Sequence, residues 1–236
     1  VWNLETLADV ARQLTLDANG HNANHPNFDP ANVVQYGFHQ QWTDPRGMAT
    51  LFGAVNFLDR QGDAYLPPHW GEAFHWYYEA MWPGEDGVVF VPNGPAQVSE
   101  LLAAGNPFDS GHVAMAHCHT WYLCCVENVP NWDYAVIPAY EGVVTARLHA
   151  DMMGVFQDTE HPELAVEVLY EIVNSWALVD VWNMLPAAED MQDAFIAELD
   201  PQFPQGVNWQ TALDGLNYPD IPNHEAWLPN LGQAND

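Results

Sequence analysis

Apolar side chains recur at helical spacing as soon as the chain begins. Leu4, Leu7, Ala8, Ala11 and Leu14 lie on one face, and Asn3 stands where an N-cap belongs. Asp17-Ala18-Asn19-Gly20 ends that helix in a turn, and the Asn- and Pro-rich stretch 21–30 reads as a surface loop. Residues 33–38 predict a short strand and 47–57 an apolar helix. Trp70, Phe74, Tyr77 and Met81 predict a helix whose buried stripe they form. A further helix over 98–104 stops at Gly105. Short β-like runs follow at 112–116, 134–137 and 143–148, with 152–156 closing the series. Pro162, at the first helical position, then opens a helix with Ala165, Val168, Leu169, Ile172 and Val173 on one face. Helices over 177–184, 190–199 and 207–216 complete the pattern, punctuated by Pro186, Pro201, Pro204, Pro219 and Pro222. Strands and helices alternate without a long run of either. The chain is α/β and has no internal repeat.

Composition narrows the picture. Of 236 residues 48% are hydrophobic and 13% aromatic, enough for a packed core, which excludes a disordered acidic tail. No run of about 18 apolar residues exists to cross a membrane as a helix. The formal net charge is −28, and the 4 basic residues are all Arg. Such a surface repels phosphate backbones, so nucleic acid is not an expected partner. A salt-adapted surface or deliberate engineering would each produce a chain without Lys, so net charge alone receives little weight. Val1-Trp2-Asn3 runs straight into a helix pattern with no secretory signal ahead of it, as in a mature or truncated product.

The densest cluster of reactive types is His117-Cys118-His119-Thr120-Trp121-Tyr122-Leu123-Cys124-Cys125. Sulfur and imidazole together suit zinc or copper. Against that, alternate residues of a strand face opposite ways, and no CxxC or second cysteine pair completes a tetrahedral site. Buried free thiols beside a strand are the favoured reading, and neither a metal nor another cofactor is expected. No G-x-S-x-G elbow, P-loop or G-x-G-x-x-G is present, and nothing singles out a catalytic pair among 32 acids. The aromatic residues say more. Trp42 between Gln41 and Asp44, Trp121 beside Thr120, and Trp227 near Glu225 each set a flat ring next to polar groups. That pairing suits a sugar, whose C–H face lies on the ring while its hydroxyls bond to acids and amides.

Taken in order, several segments resemble an extracellular solute-binding protein of an ABC importer, of the carbohydrate-binding type related to maltose-binding protein. They are Trp2-Asn3-Leu4-Glu5-Thr6-Leu7, Phe108-Asp109-Ser110-Gly111-His112-Val113-Ala114-Met115, Trp132-Asp133-Tyr134-Ala135-Val136-Ile137-Pro138, His161-Pro162-Glu163-Leu164-Ala165, and Pro219-Asp220-Ile221-Pro222 ahead of Trp227. The resemblance implies a periplasmic-binding-protein-like (type II) two-lobe fold with crossover hinge strands. The fold would be incomplete here, since the N-terminal part of the first lobe has no counterpart. Residues 1–138 would form the second lobe, 139–200 the remainder of the first, and 201–236 a return segment near the hinge and cleft.

The same resemblance implies binding without chemistry. A sugar or oligosaccharide would be captured outside the cell by hinge closure and passed to permease subunits of the importer. The protein would be monomeric, extracellular or periplasmic, and held at the membrane by an N-terminal lipid. Expected ligand contacts are Gln41, Trp42 and Asp44 after the first strand, and Trp121 in the aromatic turn. Tyr140, Arg147 and Asp151 would lie near the crossover, with Trp227 in the late segment. Two other readings stand beside this one: a secreted carbohydrate-active hydrolase, and a copper or zinc protein centred on His117, Cys118 and His119.

Overall fold

The structure, a computed structural model, describes residues 1–40, 45–55, 57, 59, 61, 63–84, 87–92, 106–148, 153–182 and 185–219. Helix α1 (Leu4–Leu14) starts where Asn3 Oδ1 accepts the Thr6 backbone N–H at 2.8 Å and the Thr6 hydroxyl at 2.9 Å. Its buried face is Leu4, Leu7, Ala8 and Ala11. Each leucine so covered contributes about 1.5–3 kcal/mol. The helix ends at Thr15, a fully buried residue whose hydroxyl donates to Ala11 O and accepts the Gly37 backbone N–H, both at 2.9 Å. Gly37 is required at that joint, because a Cβ there would stand 1.9 Å from Ala11 O.

The joint delivers the chain into two small sheets. Strand β1 (Leu16–Asp17) pairs antiparallel with β2 (Val33–Gln35), and β3 (His39–Gln40) pairs parallel with β4 (Ala116–His117). Between them, Tyr36 makes a parallel bridge to Val113. The loop joining β1 to β2 is folded around Asp17, whose carboxylate is buried and accepts the backbone N–H groups of Asn19, His21 and Asp29 at 2.8–2.9 Å. Burial alone would raise this carboxyl, yet those three bonds and the His21 side chain outweigh it and hold the pKa at about 2.

Helices α2 (Pro45–Thr50) and α3 (Pro68–Met81) pack on α1. Pro68 opens α3 at a position where its missing N–H costs nothing. The aromatic stripe expected for α3 is corrected by its neighbours. Trp70, Ala73 and Ala80 are buried and Trp76 and Tyr77 partly so, while Phe74 is 48% exposed. The two alanines let α3 approach the core closely, which turns Phe74 outward. Trp76 then meets Phe38, Phe52 and Phe90 edge-on at 5.6–6.3 Å between centroids. The helix predicted over 47–57 ends at Thr50, and Gly53 (φ 67°) turns the chain away. The helix predicted over 98–104 lies outside the described residues.

A second core forms from α5 (Trp176–Trp182), α6 (Glu189–Leu199) and α7 (Trp209–Asp214), around Val179, Phe195, Leu199 and Trp209. Trp132 and Tyr134 join it from the middle of the chain, with Trp132 edge-on to Trp209 and Phe203. Helix α4 (Pro162–Val173) begins at its proline as expected but buries none of its residues. The β-like runs at 134–137 and 143–148, and the described residues 153–156 of the third run, are not strands. Residues 134–137 are extended without a ladder, and 143–148 carry only isolated bridges and hydrogen bonds such as Ala146 N–H to Pro219 O. Residues 153–156 are irregular. β-branched residues favour extended backbone, but a strand also needs a neighbour at about 4.8 Å, which periodicity cannot supply.

Candidate functional site

The parallel β3–β4 pair positions the site. His39 faces Ala116 and Gln40 faces His117 in register, with the His39 backbone N–H on Met115 O at 2.9 Å. Both strands therefore end at the same level. In open α/β sheets, ligands bind beyond the carboxyl ends of parallel strands. Past β4 the chain runs through Cys118 and His119 into the 3₁₀ turn Thr120–Cys125, pinned by the Tyr122 N–H on His119 O. The His119 and Trp121 rings lie nearly parallel, 19° apart with centroids 6.2 Å apart.

Two buried imidazoles belong to the strands, His117 on β4 and His39 on β3. His117 is pushed down to about 4 by burial, with the nearby charges of His119 and Arg147 adding to the effect. His39 falls to about 4 by burial alone. Both are neutral at physiological pH, so each presents one N–H and one acceptor nitrogen. The Nδ1 atoms of both are buried and have no hydrogen-bond partner among the described residues. The register sets His39 on one face of the ladder and His117 on the other. Buried polar atoms are paired in the great majority of cases, so the orphaned Nδ1 of His117, on the strand that leads into the His119–Trp121 turn, marks a place where another molecule's polar group fits.

Cys118 beside them is a free thiol, pushed up to about 12 by burial, and so is neither a thiolate nucleophile nor a ready metal ligand. The expectation of free thiols fails for the other two cysteines, because Cys124 and Cys125 are bonded to each other within the 3₁₀ turn. Adjacency in sequence concealed that pairing, which a search for spaced pairs passes over. Among the described residues no three His, Cys, Asp or Glu side chains converge as a metal site.

Of the residues expected to contact ligand, Trp121 and Arg147 fall at this place, the first stacked on His119 and the second close enough to influence His117. Tyr140 is engaged on α3. Its hydroxyl donates to Glu72 Oε2 at 2.6 Å, and its ring packs on Phe52 with centroids 4.8 Å apart. That hydrogen bond, followed by burial and the charges of Glu72 and Glu141, pushes the phenol up to about 12. Gln41, Trp42, Asp44, Asp151 and Trp227 lie outside the described residues. Sequence reasoning considered His117 only as a metal ligand and did not bring His39 next to β4. The pairing that sets His39 beside β4 is a contact between positions 77 apart (116 − 39), which local patterning does not carry.

No protein-family model and no curated protein matches the chain. A solved structure does: M. tuberculosis UspC, in a monoclinic crystal form, superposes with a TM-score of 0.62 at 23% identity. The match covers 92% of this chain and 54% of that one, so the chain spans about half the length of UspC. It shows a shared α/β fold. It also corrects the expected assignment to the type related to maltose-binding protein with part of its first lobe missing, since the structural neighbour is UspC and no family model supports that assignment. The segments that suggested it are helix starts, a Pro at a first helical turn and extended runs. These encode local structure common to many α/β chains and cannot by themselves fix a subtype.

Proposed function

We propose that the chain binds a polar solute, a sugar or oligosaccharide, without chemistry, beyond the carboxyl ends of β3 and β4. The observation that carries this reading is the orphaned, buried Nδ1 of His117, whose imidazole lies near His119 of the stacked His119–Trp121 rings. A hydroxyl group would satisfy the His117 nitrogen while the indole covers a ring face.

A hinged, two-lobe action fits two further features. Asn3 and Ala139 make a parallel bridge, with the Ala139 N–H on Trp2 O at 3.1 Å and the Leu4 N–H on Ala139 O at 3.2 Å. Two chain segments thus run side by side close to the proposed division after residue 138, as crossover strands would. The described apolar residues also gather around two larger centres, one on α1–α3 and one on α5–α7. In this reading the protein works as a monomer outside the cell or in the periplasm, anchored by lipid, and hands its solute to ABC permease subunits. A ligand would drive closure by the difference in its affinity for the closed and open forms.

Calorimetric titration with a panel of neutral oligosaccharides tests the reading. Saturable binding is expected, weakened at least about tenfold in Trp121→Ala and in His117→Ala. Release of reducing ends during incubation would overturn the binder reading in favour of a hydrolase. Absence of binding to any member of the panel would remove the sugar.

A further inference from the structure

A concavity sharing no residue with the β3–β4 site opens between the Asp17 loop and the carboxyl end of α3. It is a groove of about 520 Å3, open to solvent, and His25, Phe28, Met81, Trp82, Val88 and Val89 supply most of its wall. Small-molecule sites span about 300–1,000 Å3. We propose that this groove is a peripheral binding site for a single neutral pyranose ring.

The wall is both apolar and donor-bearing. Trp82 is 47% exposed and Tyr78 leans on it with centroids 5.4 Å apart, so an indole face is held open to solvent at the groove. The indole N–H has no acceptor among the described residues. His25 Nδ1 accepts the Asn27 backbone N–H at 3.1 Å, which in the neutral ring leaves the proton on Nε2. Two donors beside apolar Phe28, Met81 and Val88 match a ring with one C–H face and hydroxyl oxygens at its edge. Among the described residues no Lys or Arg lines the groove, and the chain carries a net charge of −28, so an anionic ligand is disfavoured.

The wall is built before any ligand arrives. Asp17 fastens the loop through Asn19, His21 and Asp29, and His21 stacks on His25 with centroids 4.2 Å apart and planes 2° apart. The Phe28 N–H closes onto His25 O at 3.0 Å. On the other side the Gly87 N–H bonds to Gly84 O, and a Cβ on Gly87 would lie 2.3 Å from Pro83 Cβ. A preformed wall lowers the ordering cost of binding.

The test is titration of the full chain with methyl α-glucopyranoside and with maltose, following the Trp82 indole N–H in two-dimensional NMR, the peak being assigned by its loss in Trp82→Phe. The expected result is a saturable shift of that peak at millimolar sugar, retained in Trp121→Ala within about twofold. Trp82→Ala should weaken this weak component about tenfold, by loss of ring contact, while leaving any tighter site unchanged. Trp82 is half exposed, so the variant should remain folded with a lowered melting temperature, and Trp82→Phe, which keeps a ring against Tyr78, separates lost sugar contact from lost stability. The proposal is overturned if the Trp82 peak does not move, if Trp121→Ala abolishes all binding, or if a proline-rich peptide shifts the peak and sugars do not. Loss of all binding in Trp121→Ala would leave the β3–β4 reading standing, so the two failures are distinguishable.

Discussion

Thr15 gives the sharpest test of how the core is connected to the site. Its hydroxyl donates to Ala11 O and receives the Gly37 N–H, in a position with no solvent exposure. Thr15→Val keeps the shape and removes both bonds. Ala11 O still receives the Thr15 backbone N–H at 2.9 Å, so the acceptor stays satisfied. The Gly37 N–H does not, and a buried donor without a partner costs about 1–3 kcal/mol. Thr15→Ser keeps the hydroxyl and loses one methyl, about 1 kcal/mol. In a chain of this length 1 kcal/mol lowers Tm by about 2–4 °C. Thermal and urea unfolding followed by circular dichroism should therefore rank wild type above Ser and Ser above Val, although Val is the closer match in volume. A Val variant as stable as wild type would refute the idea that this hydroxyl joins α1 to the segment entering β3.

Two further outcomes depend on pH. The Tyr140 phenol is raised to about 12 in the folded protein, against an ordinary 10, chiefly because its proton is held by Glu72. Its stabilising contribution is complete below pH 10 and is lost as pH rises through 12, so Tyr140→Phe should show a shallower alkaline fall in Tm; equal slopes would show that the bond is not maintained in solution. Asp17 is held at about 2 against 3.8, so its contribution is complete above pH 3.8 and disappears as pH falls through 2. Asp17→Asn should melt well below wild type near neutrality and converge with it in strong acid, and a gap that stayed constant through the acid range would count against the carboxylate as the loop's anchor.

Much of the helical part of the fold was legible because helix signals are local. Asn3 as a cap, Pro162 at a helix start and the α1 apolar face were each readable from a few neighbouring letters. Strands were harder. The β-like runs at 134–137 and 143–148 have the right residues but lack a neighbour, whereas the pairing of 39–40 with 116–117 is short and long-range. The same limit governed the site. Trp121 could be singled out because a ring stood beside polar letters, and Arg147 by its place near the crossover in the resemblance. Tyr140 was placed near the crossover by resemblance, and no local pattern could reveal that Glu72, 68 positions earlier, would accept its proton. His39 became visible only once the two strands were seen side by side.

Helix α4 has a consequence for how the molecule behaves in bulk. Leu164, Val166, Val168 and Tyr170 all stand at least half uncovered, while Glu163, Glu167 and Glu171 recur at every fourth position as a ridge of like charge. Such a ridge costs the isolated helix a few tenths of a kcal/mol per pair. It also keeps one greasy flank from meeting another while solutions are dilute in electrolyte. The reach of that repulsion shrinks from about 10 Å at 0.1 M ionic strength to about 3 Å at 1 M. Self-association of this protein is thus expected to rise as electrolyte is added, and light scattering between about 0.1 M and 1 M salt would read it.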